Sequence, residues 1–321
     1  MKVAVIRFSS LGDIILTTAV VEALYDNNIK ASFITLDNFK ILFEEDYRLE
    51  KVISVKKDKL KTIKDIKNFA KKLSDFDLIL DLHSNLRSLL ISIFSGSKTI
   101  RYDKKSIQRR LLTKPFFKKF VNLENFSVVD SYLDTLKALK INNLEKYKPK
   151  IIISNNDRPN TNIPENFIAI GTGARYKGKI YPYYKEVINL LKKEGFNIVI
   201  LGSKEDIEKD KNIYKDVLDL RGKLSIRESL YVLSKAKLTI SNDSAIAHMS
   251  RAVNTKVLMI YGATHPYFGF YPLKDEGDYL FANLPCQPCD LHGKKECKFK
   301  NYKCFEEIKP KLVVEKAFNL L

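Results

Sequence analysis

No apolar run in this 321-residue sequence approaches the roughly 18–20 residues that a membrane span requires, so a transmembrane helix is excluded. Tryptophan is absent, and no cysteine precedes Cys286, so no disulfide framework organises the main body of the chain. Zinc-finger, RRM and KH patterns are missing, which argues against a dedicated nucleic-acid partner. Internal repeats and low-complexity tracts are missing too. The first residues, MKVAVIRFSSLGD, hold one early lysine and a brief apolar run before turning polar. They read as a first strand and not as a signal peptide, and the expected compartment is the cytoplasm.

What is present is a globular composition with a strong bias of charge. Hydrophobic residues make up 45% and charged residues 29%, and the length suggests about two domains. Lys and Arg number 56 against 38 Asp and Glu, a formal charge of +18. Such a balance favours anionic partners: nucleotides, phosphorylated glycans or an anionic membrane surface.

Strands and helices alternate along the chain, which predicts an α/β fold of doubly wound sheets. Residues 2–6 form a first strand, followed by the turn Arg7 to Asp13 and an apolar helix over 14–25. Asp13 at the helix start either caps it or serves as a general base at a cleft. Further strands are expected at 31–35, 52–55 and 78–83, with a basic helix over 56–73. His83 and Arg87 follow the last of these strands and are ligand candidates, although His83 reads equally as a structural histidine. Residues 98–119 are dense in cations, including Arg101, Lys104, Arg109 and Arg110. The apolar residues among them predict an ordered segment suited to acceptor phosphates. A helix follows over 128–139, and the polar, Pro-containing stretch 142–166, with a strand at 150–153 inside it, marks a domain boundary. We place the domains at 1–155 and 156–321.

The second half repeats the alternation: strands at 167–170, 197–201, 217–220, 238–240 and 257–260, helices at 183–194, 226–236 and 245–252. After the strand at 167–170, Thr172 and Gly173 open a glycine-containing turn that reaches Lys179, a point charge for a phosphate. The turn lacks both the Walker GK[ST] and the dinucleotide spacing G-x-G-x-x-G. Glu205, after the strand at 197–201, suits ribose hydroxyls or simply a helix start. Ser241 to Ser244 pack four small polar side chains ahead of a helix, an arrangement suited to an anion at its free N–H groups. Cys286, Cys289, Cys297 and Cys304 occupy the region 286–304. They fit a structural zinc site, reduced thiols or disulfides. A last helix covers 308–321.

Four motifs in order, RFSSLGD (7–13), GARYKGKIYP (173–182), LGSKED (201–206) and SNDSAIAH with YGATHP (241–266), resemble the family 9 glycosyltransferases, the ADP-heptose:lipopolysaccharide heptosyltransferases and their relatives. The resemblance implies a GT-B architecture of two Rossmann-like domains facing a central cleft. The first domain would bind acceptor and the second nucleotide sugar, and the last helix would pack back on the first. It implies inverting sugar transfer from a nucleotide donor, most readily an ADP-sugar, to a phosphorylated lipid-linked glycan. The enzyme would work peripherally at the inner face of the cytoplasmic membrane, with no catalytic cofactor. Asp13 matches the family's base. Lys179, Glu205, Asn242, Asp243, Ser244 and His248 match its donor-binding positions, with Thr172 and Gly173 beside them; Ser10, His83, Arg87, Arg101, Lys104, Arg109 and Arg110 would meet the acceptor. The chain departs from the pattern at Tyr181, where Trp is common, at Ala245, where Gly is common, and at His265, where an acidic or amide residue is usual. These departures leave the donor sugar open. The competing readings are a nucleotide-sugar epimerase of the same fold and a non-catalytic glycan- or nucleic-acid-binding protein.

Overall fold

The computed structural model describes residues 1–210, 212, 214–273 and 275–321. The chain forms two compact units, Met1–Lys104 with Val128–Ile152, and Lys105–Ser127 with Ile153–Leu321. The cationic stretch is therefore divided, and its greater part, from Lys105 on, groups with the second unit.

The first unit holds five parallel strands: β1 (Val3–Ile6), β2 (Ala31–Leu36), β3 (Leu49–Val55), β4 (Leu78–Asp81) and β5 (Lys98–Arg101), in the order β3-β2-β1-β4-β5. Every residue of β1, β2 and β4 is buried, as expected of strands covered on both faces, which read as continuous apolar runs. The helix Leu11–Asp26 buries eleven residues, Ile14 to Val21 among them, because nearly all its sides meet protein. The basic stretch 56–73 is not one helix. Thr62 caps a shorter helix, Ile63–Ala70, by accepting from the Asp65 N–H, and a helix start of that kind interrupts what precedes it.

The second unit holds six parallel strands: β6 (Phe167–Gly171), β7 (Asn197–Leu201), β8 (Leu218–Asp219), β9 (Leu238–Asn242), β10 (Val257–Ile260) and β11 (Gly277–Leu280). Their order is β11-β10-β9-β6-β7-β8. Renumbered within the unit this is 3-2-1-4-5-6, the Rossmann order. Its core runs from Ile168, Ile170 and Ile240 through Val187 and Leu191 to Phe305 and Val313. The final helix is Pro310–Phe318, with Val313, Val314 and Ala317 buried, and these belong to the second unit's core. Phe318 lies against Phe196, ring centroids 6.0 Å apart. Residues 150–153 form no strand; the Lys150 N–H donates to Thr18 Oγ1 and its ammonium pairs with Glu22. Among the described residues no helix is long and apolar enough to cross a membrane.

Candidate active site

In a doubly wound sheet, ligands bind beyond the carboxyl ends of the strands where the strand order reverses. The first unit reverses between β1 and β4, the second between β6 and β9. Ser10, Asp13, His83 and Arg87 follow the ends of β1 and β4, and Thr172, Gly173, Asp243 and Ser244 those of β6 and β9; Arg101 ends β5, Glu205 follows β7, and Arg109 and Arg110 lie at neither place.

At the first switch point, β1 leads into Arg7, which is buried. Its guanidinium is anchored on three sides: Nε donates to the Ser9 carbonyl at 2.8 Å, Nη1 to the Leu82 carbonyl, and Nη2 pairs with Asp13 Oδ1 at 2.7 Å. Burial works against the Arg7 charge, but Asp13, Tyr132 and Tyr102 outweigh it and hold the group above its ordinary value. The other Asp13 oxygen accepts the N–H and the hydroxyl of Ser10. Asp13 is thus both a helix-start acceptor and an aimed carboxylate. Its side chain keeps 20% exposure, and carboxylate oxygens have lone pairs beyond those two partners. Arg7 escaped the sequence reading. The available signal was a lone charge directly behind a fully buried strand.

Beyond β4, Asp81 is fully buried and accepts from the His83 and Ser84 N–H groups, Ser88 Oγ and Arg101 Nε. Asp81 therefore holds the turn and fixes Arg101, whose side chain remains 32% exposed. The His83 ring meets Phe8 edge-on at 5.5 Å, and its Nδ1 is buried without a hydrogen-bond partner among the described residues. Burial first, then the nearby Arg7 charge, lowers its pKa to about 4. His83 is consequently neutral near pH 7 and offers an acceptor phosphate no charge.

At the second switch point, β6 leads into Gly171-Thr172-Gly173 and β9 into Asn242-Asp243-Ser244. A Cβ on Gly171 would lie 2.6 Å from Ser241 Oγ, and one on Gly173 only 2.0 Å from the Asp206 carboxyl. Glycine at 171 lets the ends of β6 and β9 close up, and glycine at 173 makes room for the Asp206 side chain. Asn242 is fully buried. Its amide N donates to the Thr172 and Gly173 carbonyls at 2.8 and 3.1 Å, while its oxygen accepts the Tyr181 N–H and the Tyr184 hydroxyl, each at 3.0 Å. Asn242 therefore clamps the turn that carries the ligand candidates.

Lys179 Nζ reaches Asp243 Oδ2 at 2.7 Å, and the Thr264 hydroxyl donates to the same oxygen at 3.1 Å. Ser244 starts the helix Ala245–Ala252, and Ser244, Ala245 and Ile246 are only half-buried, so the N–H groups of that first turn are the natural place for an anion. Further along the helix His248 is buried with Nδ1 3.5 Å from Arg251 Nη1. Thr172 is fully buried with its hydroxyl 3.5 Å from Arg221 Nη1. Glu205 is exposed at the start of the helix Lys204–Lys209.

Two expectations find no support in the structure. Arg109 is buried with its guanidinium 5.5 Å from the Phe126 ring and 5.8 Å from the Phe270 ring. Packed this way it anchors its segment and does not offer a free charge, whereas Arg110 is exposed. The four cysteines are free thiols, and no group of three or more His, Cys, Asp or Glu among the described residues is arranged to hold a metal ion. Cys304 belongs to the apolar core of the second unit. Burial, reinforced by the neighbouring thiols, pushes Cys289 up to about 11 and Cys304 up to about 12. The structural zinc reading is not supported. His265, finally, is a packed residue: Nδ1 accepts the Tyr267 N–H at 3.1 Å and the ring lies against Tyr267 and Phe281.

The sequence model of glycosyltransferase family 9 (heptosyltransferase) matches residues 66–303. The chain belongs to glycosyltransferase family 9. It is a glycosyltransferase, and its two parallel sheets are those of a GT-B fold. Lipopolysaccharide heptosyltransferase 3 of Escherichia coli is 27% identical over 281 residues, covering 80% of this chain and 82% of that protein. Lipooligosaccharide heptosyltransferase 2 of Campylobacter jejuni is 25% identical over 100% of this chain and 98% of its own length. Among solved structures, a family 9 glycosyltransferase from Veillonella parvula superposes with a TM-score of 0.79 at 18% identity, covering 99% of this chain and 96% of that one. The E. coli ADP-heptose LPS heptosyltransferase II gives 0.74 at 17% identity, over 100% and 98%.

The two neutral histidines should make this family 9 enzyme acid-sensitive. His265, like His83, is lowered to about 4, by burial and then by Lys118. Unfolded, each takes a proton near 6.5; folded, each resists until about 4. Between those values the unfolded chain binds more protons, so stability is full above pH 6.5 and falls on acidification. The expected loss is on the order of 1–3 kcal/mol per histidine. Urea titrations at pH 7 and 4.5 should show it, and replacing His265 by glutamine should flatten the difference. An unchanged pH slope in that variant would remove His265 from the account.

Proposed function

We propose that this enzyme transfers a heptose from ADP-heptose to a phosphorylated lipopolysaccharide core, at the cytoplasmic face of the membrane, in a single inverting displacement. The observation that supports the donor half is the Lys179–Asp243 pair at the second switch point, 2.7 Å long, beside the half-buried N–H groups of Ser244 to Ile246. A diphosphate placed there would take over Lys179 and accept from the helix start. Asp243 and Thr264 would then be free to orient the sugar. Glu205 is open to the ribose, and the Gly173 backbone, Thr172 and His248 shape the rest, with Asn242 holding the turn in place.

The acceptor half belongs to the first switch point. The acceptor oxygen attacks the anomeric carbon, its proton passes to Asp13, and the bond to the diphosphate breaks as ADP leaves with the electron pair. Inversion follows from one displacement. Arg7 and Ser10 hold the carboxylate in position for it, and Lys179 and the helix N–H groups stabilise the charge growing on the leaving group. No step calls on a metal, because those groups already supply positive potential. Arg87, Arg101 and Lys104, with Arg110 of the second unit, are the cations assigned to phosphates on the acceptor. The names of the two heptosyltransferase relatives, each matched over four-fifths or more of both chains, support the sugar and the acceptor class.

A thermal-shift comparison of ADP, UDP and GDP tests the donor assignment. A ligand present at about 100 times its Kd adds about 2.7 kcal/mol to the native state. ADP should therefore raise Tm by several degrees and exceed the other two. Greater stabilisation by UDP or GDP would reassign the nucleotide, and no response to any of them would remove the donor site.

A further inference from the structure

Between Lys104 and Leu123 the sequence carries seven cations and no Asp or Glu. The base of this segment is fixed to the second unit. Leu112 and Leu123 are buried with Phe268, Arg109 lies over Phe126 and Phe270, and the Lys118 ammonium donates to the Gln287 carbonyl. What the segment presents outward is aromatic. Around the short helix Pro115–Lys118, Phe116, Phe117 and Phe120 are 69%, 46% and 70% exposed. Their rings gather, with Phe116 5.1 Å from Phe117 and 6.4 Å from Phe120. The Lys119 ammonium sits 5.7 and 5.0 Å from the Phe116 and Phe120 rings, and Lys114 and Arg110 are exposed nearby in sequence.

Three neighbouring exposed phenylalanines on a firmly anchored base mark an interaction surface. We propose that the Lys114–Phe120 tip docks on an anionic lipid bilayer, with Phe116, Phe117 and Phe120 entering the headgroup–acyl boundary and Lys114 and Lys119 on the headgroup charges. Charge complementarity selects this occupant. A second copy of the chain would bring the same acid-free segment against itself, on a protein of charge +18, whereas an anionic bilayer supplies the missing sign. The inference deepens the membrane contact of the proposed function and rests on that reading for its purpose. Its test uses no sugar, so it can fail while the transfer reading stands.

The absence of tryptophan supplies the probe. In Phe116→Trp the only indole sits at the tip. Vesicles of phosphatidylglycerol with phosphatidylcholine should shift its emission to the blue, and brominated acyl chains should quench it; pure phosphatidylcholine should do neither. In sedimentation of the full chain with the same vesicles, Phe116→Ser/Phe120→Ser should weaken binding roughly ten-fold or more through lost apolar burial. Lys114→Glu/Lys119→Glu should weaken it at least roughly 25-fold, at about five-fold per lysine lost, with a smaller dependence on salt. Unchanged melting should accompany both pairs, since all four side chains are exposed; if the serine pair misfolds, the glutamate pair decides. An emission maximum indifferent to anionic vesicles, or equal sedimentation of parent and variants, overturns the proposal. So does concentration-dependent self-association without lipid that the serine pair abolishes.

Discussion

Replacing Asp13 with asparagine should lower the transfer rate by roughly 10²–10⁴-fold, the usual contribution of a placed base, while ADP affinity stays within a factor of a few. The alternative role of Asp13 is structural, because it accepts from Ser10 at the start of the helix Leu11–Asp26 and pairs with buried Arg7. The magnitudes separate the two roles. A lost helix-start interaction costs about 0.5–2 kcal/mol, and an orphaned buried arginine about 3–5 kcal/mol. Against a typical margin of about 5–15 kcal/mol, those costs lower Tm but leave most molecules folded at 25 °C. A hundred-fold fall in rate with the chain still folded therefore belongs to chemistry. The measurement is single-turnover transfer beside a melting curve on the same sample. If rate and folded fraction fall together, Asp13 is a structural residue and the base must be sought elsewhere.

Much of this site was legible in the sequence because its residues sit next to strong local signals. The runs Val3–Ile6, Phe167–Gly171 and Leu238–Asn242 announce buried parallel strands, and Asp13, Lys179 and Asp243 lie in the polar turns that follow. Two of the four edge strands gave no such signal. β5 reads KTIR and β11 GDYL, short and interrupted by polar residues, as edges often are, and neither was expected. The helix Leu86–Ser95 was also missed, since its serines and β-branched isoleucines lower helix propensity and its packing overrides them. The break in the 56–73 helix, by contrast, was readable: Thr62 and Asp65 are three residues apart and form a reciprocal cap. Partners far apart in sequence stayed hidden. Arg7 meets the Leu82 carbonyl across 75 residues, and nothing near Arg7 foretells that contact. The same limit explains why the clamping role of Asn242 was not foreseen, since the partners described above lie 58 to 70 residues before it.

Asn242 accordingly supplies the second large effect, and its sign pattern is diagnostic. Truncation to alanine would leave the Thr172 and Gly173 carbonyls, the Tyr181 N–H and the Tyr184 hydroxyl without their partner in a fully buried setting. Unsatisfied buried groups cost about 1–3 kcal/mol each, and relaxation or an entering water recovers part of it. We expect a loss of about 3–5 kcal/mol, read as a lower urea midpoint of the second unit at constant slope. Aspartate should be worse than alanine although it is nearly the same shape. It would turn a carboxylate oxygen toward two carbonyls and bury a charge that no cation in its hydrogen-bond shell offsets. Both variants should lose ADP affinity, because the clamped turn carries Gly173 and leads to Lys179. Were Asn242 only a ligand contact, neither substitution would move the urea midpoint and the two would differ in binding alone. A stable Asn242→Asp protein would overturn the clamp and, with it, the explanation of how the donor turn is held.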